Sequence, residues 1–319
     1  MSTPREDFIR ALRREPPSGR VPHFELVFFL TMEAFGRVHP SQRRYAQWDQ
    51  MEEKERRLHR RDIAEIFVQT AERYDHSAIF VHPAVGGVEE AAILVDEIRE
   101  LSGDRYFTMM HGDPTFAIPD GEHMVEFSYR LADDPSGVHE EAKRRLEVAV
   151  ERARVLKERT SLDGFALCAD YCFNSGPFLS PSQLEEFVFP YLKQSIDAYR
   201  ELGFFTIKHT DGNIMPILDL LVDSGPDALH SLDPQGGVDL AEVKRQVGDR
   251  VCVIGNVDCS LVDTGTEEEY QADARRALSQ GMPGGGYIFS TSNCVYTGMP
   301  LARYERIVEI WRNEGVYPS

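Results

Sequence analysis

The chain repeats one unit: a short apolar run, a polar loop at its end, and then a stretch with helical periodicity. Runs rich in β-branched and aromatic residues predict buried strands. They lie at 21–29, 77–82, 105–111, 165–169, 204–207, 228–232, 250–254 and 287–291. Eight strands that alternate with helices predict an α/β fold, the (β/α)8 TIM barrel, in which every strand is parallel.

A doubly wound open sheet is compatible with the same alternation of strands and helices. The count of eight strands and the length of 319 residues favour the barrel. No low-complexity linker divides the chain, so we predict a single barrel domain over 1–319 with a short N-terminal helix at 5–14.

Local sequence marks several further helices. Those with clear periodicity are predicted at 41–75, 88–101, 134–160 and 301–314. Ser180, Pro181 and Gln183 form a capping box that begins another helix, in which Pro190 predicts a kink. The stretch 115–133 carries no clear period and is interpreted as an insertion or a lid.

Charge and composition exclude several classes of partner. The formal net charge of −18 disfavours binding to nucleic acid or to anionic membranes. No apolar run reaches the length that a membrane helix needs, and the polar first residues do not resemble a signal peptide. Five scattered cysteines indicate a reducing compartment, so a cytoplasmic protein is expected.

The strand at 204–207 leads into a segment that carries metal-binding groups. His209 and Asp211 are two positions apart, so their side chains point to the same side of an extended backbone. Gly212 then turns the chain, and Asn213 is a candidate N-cap for the next helix. Polar groups at the carboxyl end of a strand are where barrels of this type place their chemistry.

In a barrel the carboxyl ends of all strands face one mouth. The polar side chains predicted to gather there are Glu25, His82, His111, Asp170, His209, Asp211, Asp233, Asn256, Asp258 and Cys294. Some have a plainer interpretation, since Asp233 before Pro234 shapes a turn and His82 before a proline is more typical of a structural side chain.

Three of these residues offer different ligand atoms from strand ends far apart in sequence. His209, Asp211 and Cys294 supply nitrogen, oxygen and sulfur, which suit zinc and leave a fourth position open. A loop-shaping role for Asp211 is the alternative to a metal site. Cys168 and Cys252 lie inside predicted strands and are interpreted as core residues.

Several short motifs resemble those of the uroporphyrinogen decarboxylase superfamily, especially its cobalamin-dependent methyltransferase branch. The resemblance runs nearly end to end, and its motifs are specific only in combination. They are Arg20-Val21-Pro22, Asp170 with 175–181, His209-Thr210-Asp211-Gly212-Asn213, Leu232-Asp233-Pro234, Gly255-Asn256-Val257-Asp258 and 283–287 with Ser292-Asn293-Cys294. The family fold is a (β/α)8 barrel, in agreement with the strand count.

The resemblance implies a zinc site and a corrinoid partner. Methyltransferases of this branch bind zinc through a His-x-Cys pair and a distant Cys, which correspond here to His209 and Cys294, with Asp211 in place of the middle Cys. The cobalamin is carried by a partner corrinoid protein, and the methyl donor is a small molecule. A homodimer is compatible with this assignment, and the sequence leaves the oligomeric state open.

Replacing a thiolate with Asp211 makes a bound metal harder and suits an oxygen-linked methyl donor, so an aryl methyl ether is the first choice of substrate. The predicted catalytic residues are Asp170, Glu25 and His111, which orient the substrate or supply a proton. The predicted substrate-binding residues are Phe28, Tyr171, Phe173, Asn256 and Tyr296, and Phe29 also lies near a strand end.

Other functions fit the same barrel. A true decarboxylase holds a multiply carboxylated tetrapyrrole with an arginine-rich segment after the first strand, and the segment 28–33 contains no arginine. A non-catalytic accessory barrel of a corrinoid system and a metal-independent enzyme acting through Asp170 are two further alternatives.

Overall fold

The computed structural model describes residues 2–16, 19–83 and 85–318. Its strands are β1 Ala78–Val81, β2 Phe107–His111, β3 Gly164–Cys168, β4 Cys172–Phe173, β5 Gly176–Pro177, β6 Phe205–Thr210, β7 Ala228–Ser231, β8 Cys252–Ile254 and β9 Tyr287–Ile288. Its α-helices are α1 Pro4–Leu12, α2 Thr31–Phe35, α3 Glu53–Tyr74, α4 Val88–Ser102, α5 Met124–Asp133, α6 Pro135–Arg159, α7 Pro181–Phe187, α8 Phe189–Glu201, α9 Leu218–Asp223, α10 Leu240–Val247, α11 Cys259–Thr264, α12 Glu267–Gly281 and α13 Leu301–Glu314.

Seven strands form one parallel sheet in the order β1-β2-β3-β6-β7-β8-β9, and β4 and β5 form a small antiparallel hairpin. The segment 22–29 lies between the two edges of this sheet. On one side the Phe24 N–H donates to the Phe289 carbonyl, and on the other the Ser77 N–H donates to the His23 carbonyl. The ring is thereby closed, and the predicted (β/α)8 barrel is confirmed.

The segment predicted as the first strand, 21–29, occupies the eighth place in the barrel without forming a regular strand. It makes isolated parallel bridges, namely His23 with Phe289 and Phe28 with Val295. Pro22 has no N–H to donate, and the N–H of Thr291 donates to the Glu25 carboxylate rather than to a backbone carbonyl. A side chain therefore replaces part of the backbone ladder.

Two helical predictions differ from the structure. The helix expected at 41–75 begins only at Glu53, because the chain before it forms short 3-10 turns around the buried Trp48. The stretch 115–133, in which no clear period was found, contains α5, whose buried residues Phe127 and Leu131 are spaced by one helical turn. Two apolar positions are too few to reveal a period in the sequence.

Other boundaries follow their local sequence. The Ser180–Gln183 capping box is present at the start of α7. The helix then breaks at Val188 and resumes as α8 with Pro190 in its first turn, where a proline needs no hydrogen bond from its nitrogen. The last helix has the predicted bounds, 301–314.

Alternating side chains along the strands divide the buried residues into two clusters. Side chains that point into the barrel include Phe80, Met109 and Ala166, whereas Val81 and Met110 point outward under the helices. The same alternation carries His209 on β6 to the inner face at the carboxyl end. Helix α1 packs Phe8 against the inner cluster, with its ring 4.8 Å from that of Phe107, at the opposite end of the barrel from His209.

Gly212 is the residue whose backbone conformation shapes the loop after β6. Its φ is +78°, and a Cβ there would lie 2.6 Å from the carbonyl oxygens of Cys172 and Phe173. Gly237 has a similar φ of +76° but nothing within 4 Å of an added Cβ. Alanine substitutions at the two positions would therefore distinguish the free-energy cost of a positive φ from the cost of a steric clash of the added Cβ.

We expect Gly237→Ala to lower the free energy of unfolding by about 1 kcal/mol, the usual cost of a left-handed alanine. Gly212→Ala should cost about 3 kcal/mol or more, because the backbone must also move away from rigid carbonyl groups. Urea unfolding of both variants in the presence of a chelator measures the difference. Equal costs would mean that the loop at Gly212 yields without resistance.

Candidate metal centre

Two carboxylates and one imidazole meet at the carboxyl ends of β3 and β6. One ligand atom from each of Asp170, His209 and Asp211 lies within 4.8 Å of the others. The Nε2 atom of His209 is 3.9 Å from Oδ1 of Asp170 and 3.8 Å from Oδ1 of Asp211. These distances are too long for hydrogen bonds and leave space for a shared cation.

The hydrogen bonds of the two carboxylates hold them at this point. The backbone N–H of Asp211 donates to Oδ1 of Asp170 at 2.9 Å, which ties the ends of the two strands together. The amide of Asn293 donates to Oδ2 of Asp211, but Oδ1 of Asp211 is buried and has no hydrogen-bond partner among the described residues. A buried carboxylate oxygen without a partner fits a metal ligand, because a cation would replace the missing donor.

Burial changes the protonation of this cluster. It lowers the pKa of His209 to about 4, so the imidazole is neutral at pH 7 and able to donate a lone pair. Burial, together with the charge of Asp170, raises the pKa of Asp211 to about 7. Without a metal, Asp211 therefore loses its proton only near pH 7, and a bound cation would favour its charged form.

The predicted ligand Cys294 lies beside this cluster rather than within it. Its thiol is not among the three groups within 4.8 Å of one another, although His209 and Asp211 are. Its side chain packs against the inner hydrophobic cluster, and burial raises the pKa of its thiol to about 12. The structure therefore brings together two of the three predicted ligands and adds Asp170 as the third group.

The predicted catalytic residues occupy different environments. Asp170 is half exposed at the cluster, and His111 is exposed at the end of β2. Glu25 is almost fully buried and accepts hydrogen bonds from Ser290 and Thr291, so its carboxylate is not exposed at the mouth. The roles predicted for Glu25, orienting the substrate or supplying a proton to it, do not fit this position.

The predicted substrate-binding residues are also divided. Phe28 is buried under α3 and α13, where its ring packs on Tyr74 and Tyr304. Tyr171 is buried and its hydroxyl forms a hydrogen bond with that of Thr115, so neither ring is exposed.

Asn256 has both ends of its amide occupied by the Leu232 carbonyl and Arg276. Phe173, 43% exposed on the β4–β5 hairpin, and the half-buried Tyr296 remain accessible. Two of the four aromatic residues predicted to bind substrate are therefore accessible and two are buried. The side to which each ring points depends on the local loop.

A buried ion pair next to the cluster was not predicted. Lys208 lies one position before His209 and therefore points to the outer side of the barrel wall. Its ammonium group donates to Asp113 at 2.8 Å and to the carbonyls of Leu167 and Ala169, and it lies over the ring of Tyr171. A lysine inside an apolar strand requires a buried partner, and this is the sequence signal that would have revealed the pair.

The lid predicted at 115–133 borders the same end of the barrel. The N–H of Ile118 donates to the Asp170 carbonyl, and Phe116 and Phe127 pack together beside a small cleft that reaches Asp170. The segment is therefore anchored to the cluster by its backbone. Within the described part of the chain, no helix combines the length and the apolar character required to cross a membrane.

Comparison with known proteins identifies the family. The uroporphyrinogen decarboxylase (URO-D) family model matches residues 142–314, more than half of the chain. The chain is 26% identical over 228 residues to the uroporphyrinogen decarboxylase of Thioalkalivibrio sulfidiphilus, which covers 66% of this chain and 60% of that protein. It is 29% identical over 131 residues to the methylcobamide:CoM methyltransferase MtbA of Methanosarcina mazei, covering 40% of this chain and 36% of that protein.

Solved structures give the same fold. A methyltransferase from Methanosarcina mazei superposes with a TM-score of 0.75 at 17% identity and covers 98% of this chain and 99% of that one. A putative vitamin-B12 independent methionine synthase from Listeria monocytogenes superposes with a TM-score of 0.56 at 13% identity, covering 92% of this chain and 97% of that one. Both likenesses support the barrel.

The chain belongs to the uroporphyrinogen decarboxylase family. The superfamily predicted from the motifs is thereby confirmed, and its relatives include both decarboxylases and a methyltransferase. The alignments span between about a third and 60% of the length of the curated relatives, so they establish the family without fixing the reaction.

The raised pKa of Asp211 predicts a specific pH dependence. Above pH 7 the folded, metal-free protein must hold a charged Asp211 that the unfolded chain ionises freely at its ordinary pKa of 3.8. Wild-type stability therefore falls relative to Asp211→Asn as pH rises from about 4 to about 7. The difference should reach on the order of 2 kcal/mol at pH 8, less than the full shift implies because the side chain is partly exposed.

Urea unfolding of the two proteins with a chelator, at several pH values between 4 and 8, measures this effect. The comparison removes the contribution of His209, whose lowered pKa acts in the opposite direction in both proteins. A stability difference that is constant across this range would show that Asp211 ionises normally.

Proposed function

We propose that this protein is a zinc-dependent methyltransferase that moves a methyl group between a small substrate and a corrinoid carried by a partner protein. The observation that carries the proposal is the meeting of Asp170, His209 and Asp211 at the barrel mouth, with one buried carboxylate oxygen lacking a partner. The methylcobamide:CoM methyltransferase among the relatives supports the corrinoid.

Asp170, His209 and Asp211 would hold the zinc, and a fourth position would be left for the substrate. When bound, zinc supplies a Lewis acid that polarises an oxygen of the substrate. Two of the three ligands are then hard oxygen donors, whereas thiolates would keep a bound thiol nucleophilic. This donor set favours an oxygen-linked methyl donor, and a methyl ether is our choice.

The side chains around the mouth provide the remaining functions. Phe173 and Tyr296 are accessible and would hold the ring of an aryl methyl ether. His111 is exposed at the end of β2 and would supply the proton that the departing oxygen takes up. Ile118 and the segment around it would border the substrate and exclude water.

Decarboxylation of a polycarboxylated tetrapyrrole is the alternative within the family, since most of the named relatives are uroporphyrinogen decarboxylases. Such a substrate needs fixed cations at the mouth. The segment 28–33 has no arginine, and Arg37 and Arg43, which follow it, are both paired with Asp62. The geometry therefore favours methyl transfer. An accessory barrel without activity is the other alternative, and it would not bind zinc.

The ligand set can be tested by metal content. Wild-type protein should bind about one zinc per chain, and Asp170→Asn or Asp211→Asn should weaken binding more than about a hundredfold. Cys294→Ser should retain the metal, because the thiol lies outside the cluster. Chelator competition followed by elemental analysis gives the affinities.

Asp239→Asn is the matched control, because Asp239 is a helix-capping carboxylate at the start of α10. Loss of zinc from Cys294→Ser together with retention in Asp170→Asn would restore the ligand set predicted from sequence. Wild-type protein that binds no zinc would favour the accessory barrel or a metal-independent enzyme.

Methyl transfer from a methyl ether should require an added corrinoid in its reduced state. Asp211→Cys should keep zinc but slow transfer from an oxygen-linked donor by about a hundredfold, which corresponds to about 3 kcal/mol of transition-state stabilisation. The appearance of methylcobalamin in the visible spectrum measures the rate. Activity of the isolated chain without corrinoid, or an equally fast Asp211→Cys variant, would contradict the proposed reaction.

A further inference from the structure

A continuous row of buried polar side chains leads from the candidate metal centre to His23, which packs against Tyr304 and Trp311 of α13. Nδ1 of His209 lies 2.8 Å from Nδ1 of His230, and Nε2 of His230 lies 3.4 Å from Oγ of Ser290. Oγ of Ser290 lies 3.2 Å from Oε2 of Glu25, and Oε1 of Glu25 lies 3.4 Å from Nε2 of His23. All five side chains are buried.

The direction of each hydrogen bond follows from groups that can only donate or only accept. The backbone N–H of Thr291 can only donate, and it donates to Oε2 of Glu25 at 3.1 Å. The same oxygen also accepts from the Thr291 hydroxyl, and Ser290 donates its hydroxyl proton to it. The hydroxyl oxygen of Ser290 is then left to accept from Nε2–H of His230.

The remaining bonds are fixed in turn. A neutral His230 that carries its proton on Nε2 has a lone pair on Nδ1. Two lone pairs cannot face each other at 2.8 Å, so His209 must carry its proton on Nδ1 and donate it to His230. The Nε2 atom of His209 is left with a free lone pair, directed towards Asp170 and Asp211.

We propose that His230, Ser290 and Glu25 are positioning residues that fix His209 in the tautomer whose Nε2 is free for the metal. The inference rests on the proposed function, because it concerns a ligand of the proposed zinc site. Metal-bound histidines commonly donate their second N–H to a partner that sets ring orientation, and here that partner is another histidine. The same row gives Glu25 a role that its buried position otherwise lacks.

The far end of the row keeps it in place. Nδ1 of His23 bonds the carbonyl of Tyr74 at 2.9 Å, and a carbonyl can only accept. The contact of Nε2 of His23 with Glu25 therefore contains one shared proton. In Glu25→Gln the amide N–H would donate to Nε2 of His23, and the amide oxygen would still accept from Ser290 and Thr291, so the hydrogen bonds of the row would be kept.

The tautomer can be measured directly without metal. In protein labelled with 15N-histidine, the ring nitrogen shifts and their long-range couplings distinguish Nδ1–H from Nε2–H, and the His209→Gln variant assigns the signals. Metal-free wild-type His209 should be protonated at Nδ1. In Ser290→Ala and in His230→Leu both tautomers should be populated, whereas Glu25→Gln should resemble wild type.

Zinc affinity provides the second measurement. Ser290→Ala and His230→Leu should bind zinc 10–100-fold more weakly, the usual effect of removing a partner of a metal-bound histidine. Ser195→Ala is the matched control, because Ser195 is also a fully buried serine but bonds only the Leu192 carbonyl of its own helix. It should leave both measurements unchanged.

The outcomes separate the two proposals. Nε2–H on His209 in metal-free wild type overturns the positioning role, whether or not zinc binds. Wild-type zinc binding with unchanged affinity in both Ser290→Ala and His230→Leu also overturns it, while the proposed function stands. Wild-type protein without zinc overturns the proposed function, and the tautomer measurement then still decides whether the row orients His209.

Discussion

The alternation of side chains along the parallel strands is the constraint on which this structure depends. Every second residue points into the barrel, so Cys168 and Asp170 share one face of the chain at β3, and His209 and Asp211 share one at β6. A shift of the register by one residue would turn all of these side chains towards the helices. The inner core and the candidate metal centre are therefore set by the same periodicity.

Lys208 shows the consequence of this periodicity for a charged residue. On the outer side of the sheet it lies between Leu167 and Leu229 of the adjacent strands. Its charge must therefore be balanced there, and its ammonium group donates to Asp113 and to two backbone carbonyls. The pair stabilises the loop after β2 against β6, because breaking it would leave a buried charge without a partner. The buried ion pair therefore lies next to the candidate metal centre without forming part of it.

The barrel itself could be predicted from sequence, because eight apolar runs and their helices record a regular repeat. The metal centre could be predicted only in part. His209 and Asp211 were identified from their spacing along one strand, which the structure preserves. Asp170 was placed at the mouth but not in the cluster, since the hydrogen bond from the Asp211 N–H that draws it in depends on the relative height of two strands.

Aromatic and polar residues on loops were the least predictable. Phe28 lies near the end of the predicted first strand and Tyr171 follows β3, yet both rings pack in the cluster between the barrel and its helices. Irregular backbone at a strand end can turn a side chain to either side. Glu25 was assigned to the mouth from its strand, but in an irregular segment it is buried and bonded to Ser290 and Thr291. Sequence periodicity predicts the side of the sheet to which a side chain points within regular strands. It no longer predicts this where the backbone hydrogen bonds between strands end.

The crowding of negative charge at the mouth links the fold to its chemistry. Two carboxylates within 4.8 Å of a neutral imidazole repel each other, and one of them has a raised pKa as a result of burial and its neighbour. A divalent cation would relieve this repulsion and complete the bonding of the buried Asp211 oxygen. Because both carboxylates are hard donors, the same arrangement that needs a cation also makes the proposed zinc a stronger Lewis acid than a thiolate-bound one. The proposal of chemistry at oxygen therefore rests on the side chains that the fold crowds together.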